Sequence, residues 1–335
     1  MMTNIAVTET TPFDALIQLA GSQVVPRCLH VIADLGVADA LGDSPQSAAA
    51  LAMATGAHAE ALDRTLRLLS AYGVFARLDG GYAHSAASRL LRSDHPQSMR
   101  SLVRMFGSSM FWTCFEQLGY SVRTGLAVTD KVLPGGVWQY LSSHPDDART
   151  FDAAMTDKAH GQVAGVVGAY DFGTFGRIAD IGGGRGHLLR AVLDHAPRAR
   201  GVLFDQPDVI QAASSVASPR LTLQAGDFFR DRLPACDAYL LMEVIHDWDD
   251  ERAKAILTAV RAAAVPDAKV LIIEAILSEA ANPSWPKILD IWMLGIGGKQ
   301  RTQREYAVLL SSAGFRLTRE MSTHAGVSII EAIPV

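Results

Sequence analysis

The chain is poor in cysteine, with Cys28, Cys114 and Cys236 standing far apart among 335 residues. No pair has metal-ligand or redox spacing, and three thiols cannot all pair within one chain. That argues against a disulfide scaffold, implies no metal, and points to idle or buried thiols in a reducing compartment. Charge is sparse as well: 19% of residues are charged and the formal net charge is −5. No basic field or polybasic stripe is available to attract nucleic acid or an anionic membrane. An unbroken run of about 18 apolar residues is missing, which argues against a spanning helix. The first twelve residues lack a basic n-region and an apolar h-region, so no secretory signal is read and the expected location is cytoplasmic.

What is present is apolar bulk. Hydrophobic residues make up 49% of the chain, enough for a sizeable core, and the length fits two domains or one with a large appendage. Residues 1–12 should be frayed. From Pro12 to Leu41 the spacing predicts helix. An Ala-rich segment follows Ser47, and a second helix carries Leu62, Leu66 and Leu69 on one face. Val74–Leu78, the turn Asp79-Gly80-Gly81 and Tyr82–His84 then predict a hairpin. Helix, helix, hairpin looks like a winged-helix module. Its second helix offers only Arg64 and Arg67 against Glu60 and Asp63, and its hairpin tip is acidic. A DNA reader needs a basic face, so a dimerisation module is the stronger reading. Residues 98–168 read as mostly helical. Within them the stretch 102–115 carries Phe106, Met110 and Trp112, whose ordinary role would be core packing and whose alternative role is to line a pocket for a flat ligand.

From Arg177 short apolar runs alternate with helical stretches, the pattern of a doubly wound, largely parallel sheet. Helix is expected throughout 286–311, and the last two runs, Phe315–Arg319 and Val327–Ala332, should form an antiparallel hairpin at the sheet edge. Asp180-Ile181-Gly182-Gly183-Gly184-Arg185-Gly186 follows the first strand and opens a helix. Gly182, Gly184 and Gly186 let backbone approach a nucleoside-type ligand. Asp205, at the end of the second strand, is placed to accept bonds from ribose hydroxyls, or else caps the next helix. Asp227 and Phe228 are placed to meet an adenine amino group and ring, or else form an ordinary turn. An acid directly before the glycines suits a cationic ligand such as S-adenosylmethionine better than a pyrophosphate. The glycine spacing also departs from the dinucleotide fingerprint.

An apolar strand, Ala238–Met242, delivers Glu243-Val244-Ile245-His246-Asp247-Trp248-Asp249-Asp250 to the ligand end of the sheet. His246 can take a proton at neutral pH, or can cap the following helix. A catalytic imidazole needs an orienting acid on its other nitrogen. Glu274, ending the otherwise apolar Val270–Ile273, is the candidate.

These residues resemble the plant caffeic acid-type O-methyltransferases and their bacterial relatives in antibiotic and pigment pathways. The anchors are DIGGGRG (180–186), FDQPDVI (204–210), GDFF (226–229), EVIHDWDD (243–250), IIEAIL (272–277) and GGKQRTQREY (297–306). The resemblance implies a winged-helix-like dimerisation domain over 1–97, a helical substrate-lining segment over 98–168 and a Rossmann-like methyltransferase domain over 169–335. It implies a homodimer, S-adenosylmethionine as cofactor with S-adenosylhomocysteine as product, and transfer to a hydroxyl of a small aromatic metabolite. For the site it implies His246 as general base flanked by Glu274. Asp180, Gly182, Gly184, Gly186, Asp205, Gln206, Asp227 and Phe228 would meet the cofactor. Phe106, Met110, Trp112, Phe151, Met155, Asp247, Asp290, Trp292 and Met293 would wall the substrate. Two departures stand out. Gln300 takes the place of a second glutamate beside the histidine, and a neutral amide cannot stabilise imidazolium by charge. Met242 replaces a lysine near the cofactor. Two rival classes are a relative with hydroxylating or decarboxylating chemistry and a winged-helix ligand-sensing regulator. A nicotinamide dehydrogenase is a weaker third.

Overall fold

The computed structural model describes residues 11–335, which divide into two compact units, one ending at Ser108 and the other running from Ser109 to Val335. Most of the start expected to be frayed therefore lies outside the described residues. In the first unit Thr11 caps helix α1 (Pro12–Gly21) by accepting a bond from the Asp14 amide. Helices α2 (Val24–Asp34) and α3 (Val37–Ala40) follow. The single helix expected over 12–41 is thus divided, at Ser22–Gln23 and again at Gly36, whose φ of 68° is left-handed. After α4 (Ala48–Thr55) and α5 (Ala59–Ala71), strands β1 (Phe75–Leu78) and β2 (Gly81–His84) form the expected antiparallel hairpin. Helices α6 (Ala86–Arg89) and α7 (Arg100–Phe106) close the unit. Its core gathers Ile32, Leu41, Leu51, Leu62, Leu66, Leu69, Phe75 and Tyr82, the apolar face predicted for α5 among them. Each large apolar side chain buried there stabilises by about 1.5–3 kcal/mol.

Phe13, Leu16, Ile17 and Leu19, by contrast, are all more than half exposed within this unit. The stretch Pro12–Asp34 is long and apolar enough, at a mean hydropathy of 1.2, to match a membrane span by length and composition. This corrects the expectation that nothing in the chain would qualify. The turn at Ser22–Gln23 splits the stretch into helices of 10 and 11 residues, each well short of the roughly 20 that a bilayer core requires.

The second unit begins with helices α8 (Ser109–Glu116), α9 (Leu118–Thr124), α10 (Val128–Val132), α11 (Gly136–Ser143) and the long α12 (Pro145–Ala169). Strand–helix alternation follows: β3 (Arg177–Ile181), α13 (His187–His195), β4 (Arg200–Asp205), α14 (Pro207–Ala212), β5 (Leu221–Ala225), β6 (Ala238–Met242), α15 (Asp250–Ala263) and β7 (Lys269–Glu274). Helices α16 (Trp285–Ile296) and α17 (Gln303–Ser312) precede β8 (Phe315–Ser322) and β9 (Ser328–Pro334). The sheet order is β5-β4-β3-β6-β7-β9-β8. The first five strands are parallel, and the β8–β9 hairpin joins antiparallel to β7. Alternate strand residues feed two cores, Ala179, Phe204, Tyr239 and Ile272 on one face and Ile178, Leu203, Leu240 and Leu271 on the other.

Helix does not run unbroken through 286–311. Gly297 ends α16 at a φ of 91°, and Thr302 opens α17 with a reciprocal capping box to Glu305. The loop between them carries Gln300 and Arg301 to the end of β6.

Glu331 of β9 ties the far side of the sheet together. Its buried carboxylate accepts from Tyr170 at 2.6 Å, Thr318 at 2.7 Å, and Lys269 and Arg319 at 3.0 Å each. Burial opposes its ionisation, but these donors win and hold it down to about 2. Glu331→Ala is expected to lower the free energy of unfolding by about 2–3 kcal/mol at neutral pH, read by urea denaturation. A depressed carboxylate contributes fully above the ordinary range and loses its contribution as the pH falls toward about 2. The difference between the two proteins should therefore be flat from pH 5 to 8.

Candidate active site

The sheet changes direction at β3, which pairs with β4 on one side and β6 on the other. Open parallel sheets bind ligands at that point, beyond the carboxyl ends of the strands. The glycine loop lies there, with Gly182, Gly184 and Gly186 all at positive φ. A side chain at Gly182 would lie 2.9 Å from Val244, whereas one at Gly184 would project into open space. Asp205 at the end of β4 receives the Gly184 amide at 2.8 Å and the Gln206 amide at 2.7 Å. The capping alternative does not hold, since α14 is capped at Gln206 with no side-chain bond; the Asp205 carboxylate turns to the glycine loop instead. Gly226 bonds the Asp205 carbonyl at 3.0 Å, which sets Asp227 beside it. Asp227 receives the Phe229 amide at 2.9 Å and lies 3.5 Å from Arg230, the behaviour of a turn acid. Phe228 packs edge-on to Trp248, 5.9 Å between ring centres.

Asp180 differs from these acids. It is 1% exposed, and neither carboxylate oxygen has a hydrogen-bond partner among the described residues. Burial first, and the Asp205 charge second, push it up to about 7. An unsatisfied buried carboxyl is costly. A cationic donor placed over the open Gly184 backbone would satisfy it, and the amino acid end of S-adenosylmethionine has that chemistry. The residues present fit that cofactor.

A few backbone contacts place the histidine. Beyond β6 the chain turns through Ile245–Asp247. The His246 amide donates to Glu274 at 3.0 Å, and its carbonyl receives the Lys299 amide at 2.8 Å. Gly298 is required there, since a Cβ would lie 2.1 Å from the His246 carbonyl oxygen. Nδ1 of the ring meets the side-chain amide of Gln300. Nε2 lies 3.4 Å from Glu243 and 3.5 Å from Asp247. The acid expected on the second ring nitrogen, Glu274, touches His246 through the backbone instead. Its other oxygen accepts from the Tyr306 hydroxyl. Glu243, Lys158 and Tyr306 were not singled out as site residues by sequence. Lys158 bonds Glu243.

Burial pushes His246 down to about 4 against the pull of Glu243. It pushes Asp247 and Glu274 up to about 8 each, with the Glu243 charge adding to both. Glu243 itself is driven up by burial but held below the usual carboxylate range by Lys158 and then His246.

The residues expected to wall a substrate lie on several helices. Phe106 ends α7 in the first unit. Met110 is buried with Cys114, Val128 and Val137, and Met293 with Ala275 and Leu289. Trp292 meets Phe111 at 5.4 Å and Phe115 at 5.5 Å, and Trp112 meets Phe115 at 6.2 Å. Phe151 meets Trp138 at 5.8 Å, and Met155 lies on the same helix, α12. Asp290 receives the Gln300 amide at 2.9 Å, and so positions the loop.

Comparison with known proteins now gives this geometry its family. The profile of the O-methyltransferase domain matches residues 115–316, and that of the O-methyltransferase dimerisation domain matches 17–94. A phenazine O-methyltransferase of Lysobacter antibioticus is 38% identical over 96% of both chains. The mitomycin biosynthesis 6-O-methyltransferase of Streptomyces lavendulae is 36% identical over 91% of this chain and 90% of its own. The crystal structure of an O-methyltransferase from neocarzinostatin biosynthesis, with S-adenosylhomocysteine and 1,4-dihydroxy-2-naphthoic acid, superposes with a TM-score of 0.79. It is 32% identical, covering 95% of this chain and 98% of that one. Fold and site define an S-adenosylmethionine-dependent methyltransferase. More narrowly, the chain belongs to the O-methyltransferase family that carries an N-terminal dimerisation domain.

A raised carboxyl is at its most stabilising when protonated. Its contribution is complete below the ordinary range, about 4.3, and is lost as the pH rises through about 8. Glu274→Gln mimics the protonated form, so its stability relative to wild type should grow between pH 5 and 8. Urea midpoints at the two pH values check this. An unchanged difference would mean that Glu274 is ionised throughout.

Proposed function

We propose that this chain methylates a hydroxyl of a small aromatic metabolite, with His246 Nε2 taking the hydroxyl proton. The observation that carries the reading is the buried imidazole, whose Nδ1 is engaged by Gln300 while its Nε2, 3.4 Å from Glu243, is held by no in-line hydrogen bond among the described residues. The two orientations of the Gln300 amide are isosteric. With Oε1, otherwise buried and without a partner, turned to Nδ1, the amide accepts from Nδ1–H and leaves the lone pair on Nε2. When bound, S-adenosylmethionine supplies an electrophilic methyl group on its sulfonium. The residues of the chain do the rest. Asp180 and the open backbone at Gly184 receive the cationic end of the cofactor, and Asp205 and Asp227 fix its nucleoside. His246, neutral across the physiological range, accepts the hydroxyl proton at Nε2 and later releases it to water. Because so depressed an imidazole is a weak base, alignment of the acceptor supplies much of the rate. The aromatic cluster of Phe111, Phe115 and Trp292 supports a flat acceptor. So do the phenazine and naphthoic acid named for two relatives.

The exposed apolar side chains of α1 support a homodimer in which a second copy covers them, in keeping with the dimerisation domain matched there. We also place the enzyme in the cytoplasm, in keeping with three free thiols.

Labelled S-adenosylmethionine and a panel of phenols test the chemistry. A product heavier by one methyl group is expected. His246→Ala should lower kcat by about 10²- to 10⁴-fold with S-adenosylhomocysteine binding unchanged by calorimetry. A product that gains oxygen or loses carbon dioxide would sink the methyl-transfer reading, and an unchanged kcat would remove His246 from the proton transfer. The double variant Leu16→Glu/Leu19→Glu should sediment as a monomer where the wild type sediments as a dimer.

A further inference from the structure

The ionised carboxylate nearest the His246 ring is Glu243. Its backbone lies at a φ of 57°, a left-handed conformation that non-glycine residues seldom adopt. That conformation directs the side chain back across the turn, where Oε2 comes within 3.4 Å of His246 Nε2. Lys158 of α12 bonds the same oxygen, and Gln162, one turn further along α12, reaches Oε1 at 3.5 Å. Both members of the ion pair are largely buried, with side chains 16% and 11% exposed. Burying an ion pair carries a desolvation cost that its mutual attraction often fails to recover. A left-handed residue and a buried pair at one ring are the kind of local expense that marks a functional site.

We propose that Glu243 is the counter-charge of His246: Lys158 keeps it ionised, and it stabilises the imidazolium formed when Nε2 takes the acceptor's proton, a task that the neutral Gln300 at Nδ1 cannot perform. This rests on the assignment of His246 as the proton acceptor. The proton passes from the acceptor oxygen to Nε2 and then to water. No bond is made or broken at Glu243 or Lys158, so Glu243 is a positioning residue that acts through the imidazole.

The surrounding groups leave this role to Glu243. Asp247, 3.5 Å from Nε2, is pushed up to about 8 by burial and then by the Glu243 charge. Glu274, bonded to the His246 backbone and to Tyr306, is likewise raised to about 8. Arg301, fully buried, is neutralised by Asp250 at 2.8 Å. At neutral pH Glu243 is therefore the charged carboxylate in contact with the ring, and Lys158 its counter-ion. Among these groups Glu243 draws a proton toward His246, whereas Lys158 and Arg301 oppose it.

Removing the cation while leaving the carboxylate should make the Glu243–His246 pair take up a proton in the neutral range. The test is NMR of histidine-labelled protein from pH 5 to 9, with the His246 resonance assigned from His246→Gln. Wild type should show a neutral His246 throughout. In Lys158→Met the His246 resonance should move between about pH 5 and 8 as the pair takes up its proton, on the ring or on the neighbouring carboxylate, and in Lys158→Met/Glu243→Gln it should be silent again. With 1,4-dihydroxy-2-naphthoic acid as the probe acceptor, Glu243→Gln should lower kcat about tenfold or more at every pH with little change in KM. Circular dichroism and S-adenosylhomocysteine binding confirm that each variant is folded. A His246 resonance that does not move in Lys158→Met, or one that moves equally in the double variant, would overturn the proposal. So would a Glu243→Gln enzyme with wild-type kcat. The NMR arm needs no turnover. Failure of His246→Ala to affect kcat would therefore defeat the proton-acceptor reading separately, leaving the charge relation measured.

Discussion

The site depends on one buried guanidinium. Arg301 has no exposure to solvent, and its nitrogens reach the carbonyls of Ile245 and Lys299 at 3.2 Å, Trp248 at 2.9 Å and the Asp250 carboxylate at 2.9 Å. A planar fork with five donors is the side chain that can join so many acceptors at once. It links the turn after β6 to the loop between α16 and α17, and His246 and Gln300 sit on those two segments. The Lys299–His246 backbone bond and the close approach at Gly298 complete the seam. Without that link the imidazole and its amide partner would belong to separate, independently moving loops.

Around this seam, burial rather than pairing governs charge. Taken one at a time, His246, Asp247 and Glu274 all shift toward their neutral forms because they are buried. Glu243 alone in this group shifts the other way, and it does so because Lys158 reaches it from α12. A ring surrounded by largely neutral groups with one ion pair, Lys158–Glu243, beside it suits a reaction that meets a cationic methyl donor with a neutral hydroxyl. Several fixed anions would bind the donor but would resist formation of the negative acceptor oxygen. At the glycine loop Asp180 is buried, raised and, among the described residues, without a hydrogen-bond partner, so a carboxyl that can ionise against the cationic donor stands there.

Much of this was legible in the sequence because the signals were local. Apolar runs that ended in an acid or a histidine marked the carboxyl ends of β4, β6 and β7, and the glycine loop marked the end of β3. His246 and Gln300 could be paired through the resemblance, and the structure brings them together. The break between α16 and α17 had readable signals in Gly297-Gly298, in the lack of an apolar side chain over 297–305 and in the cap Thr302-Gln303-Arg304-Glu305, which the apolar patterns on either side outweighed. The partner of Glu274 was read as the imidazole and proved to be the backbone amide, since sequence places a residue at a strand end but not the height of the neighbouring turn. Glu243 and Lys158 are 85 positions apart. No periodicity connects a helix residue to a turn residue at that separation, and a glutamate beside an apolar strand looks like an ordinary exit from the sheet.

The left-handed backbone at Glu243 explains why that turn is built as it is. Glu243 and His246 are three positions apart, and in an extended exit from β6 their side chains would point to opposite sides of the chain. A positive φ at Glu243 reverses the direction at once, and the short turn over Ile245–Asp247 then brings His246 back over it. Ile245 and Val244 between them are spent on the core, packed with Ala253 and Ile256 of α15. The apolar anchor and the polar pair are therefore interleaved in a single four-residue segment. Glycine at 243 would adopt the same backbone without strain, but it would leave Lys158 facing a neutral imidazole and no anion. Side-chain charge at that position, and not backbone shape, is what the strained residue contributes.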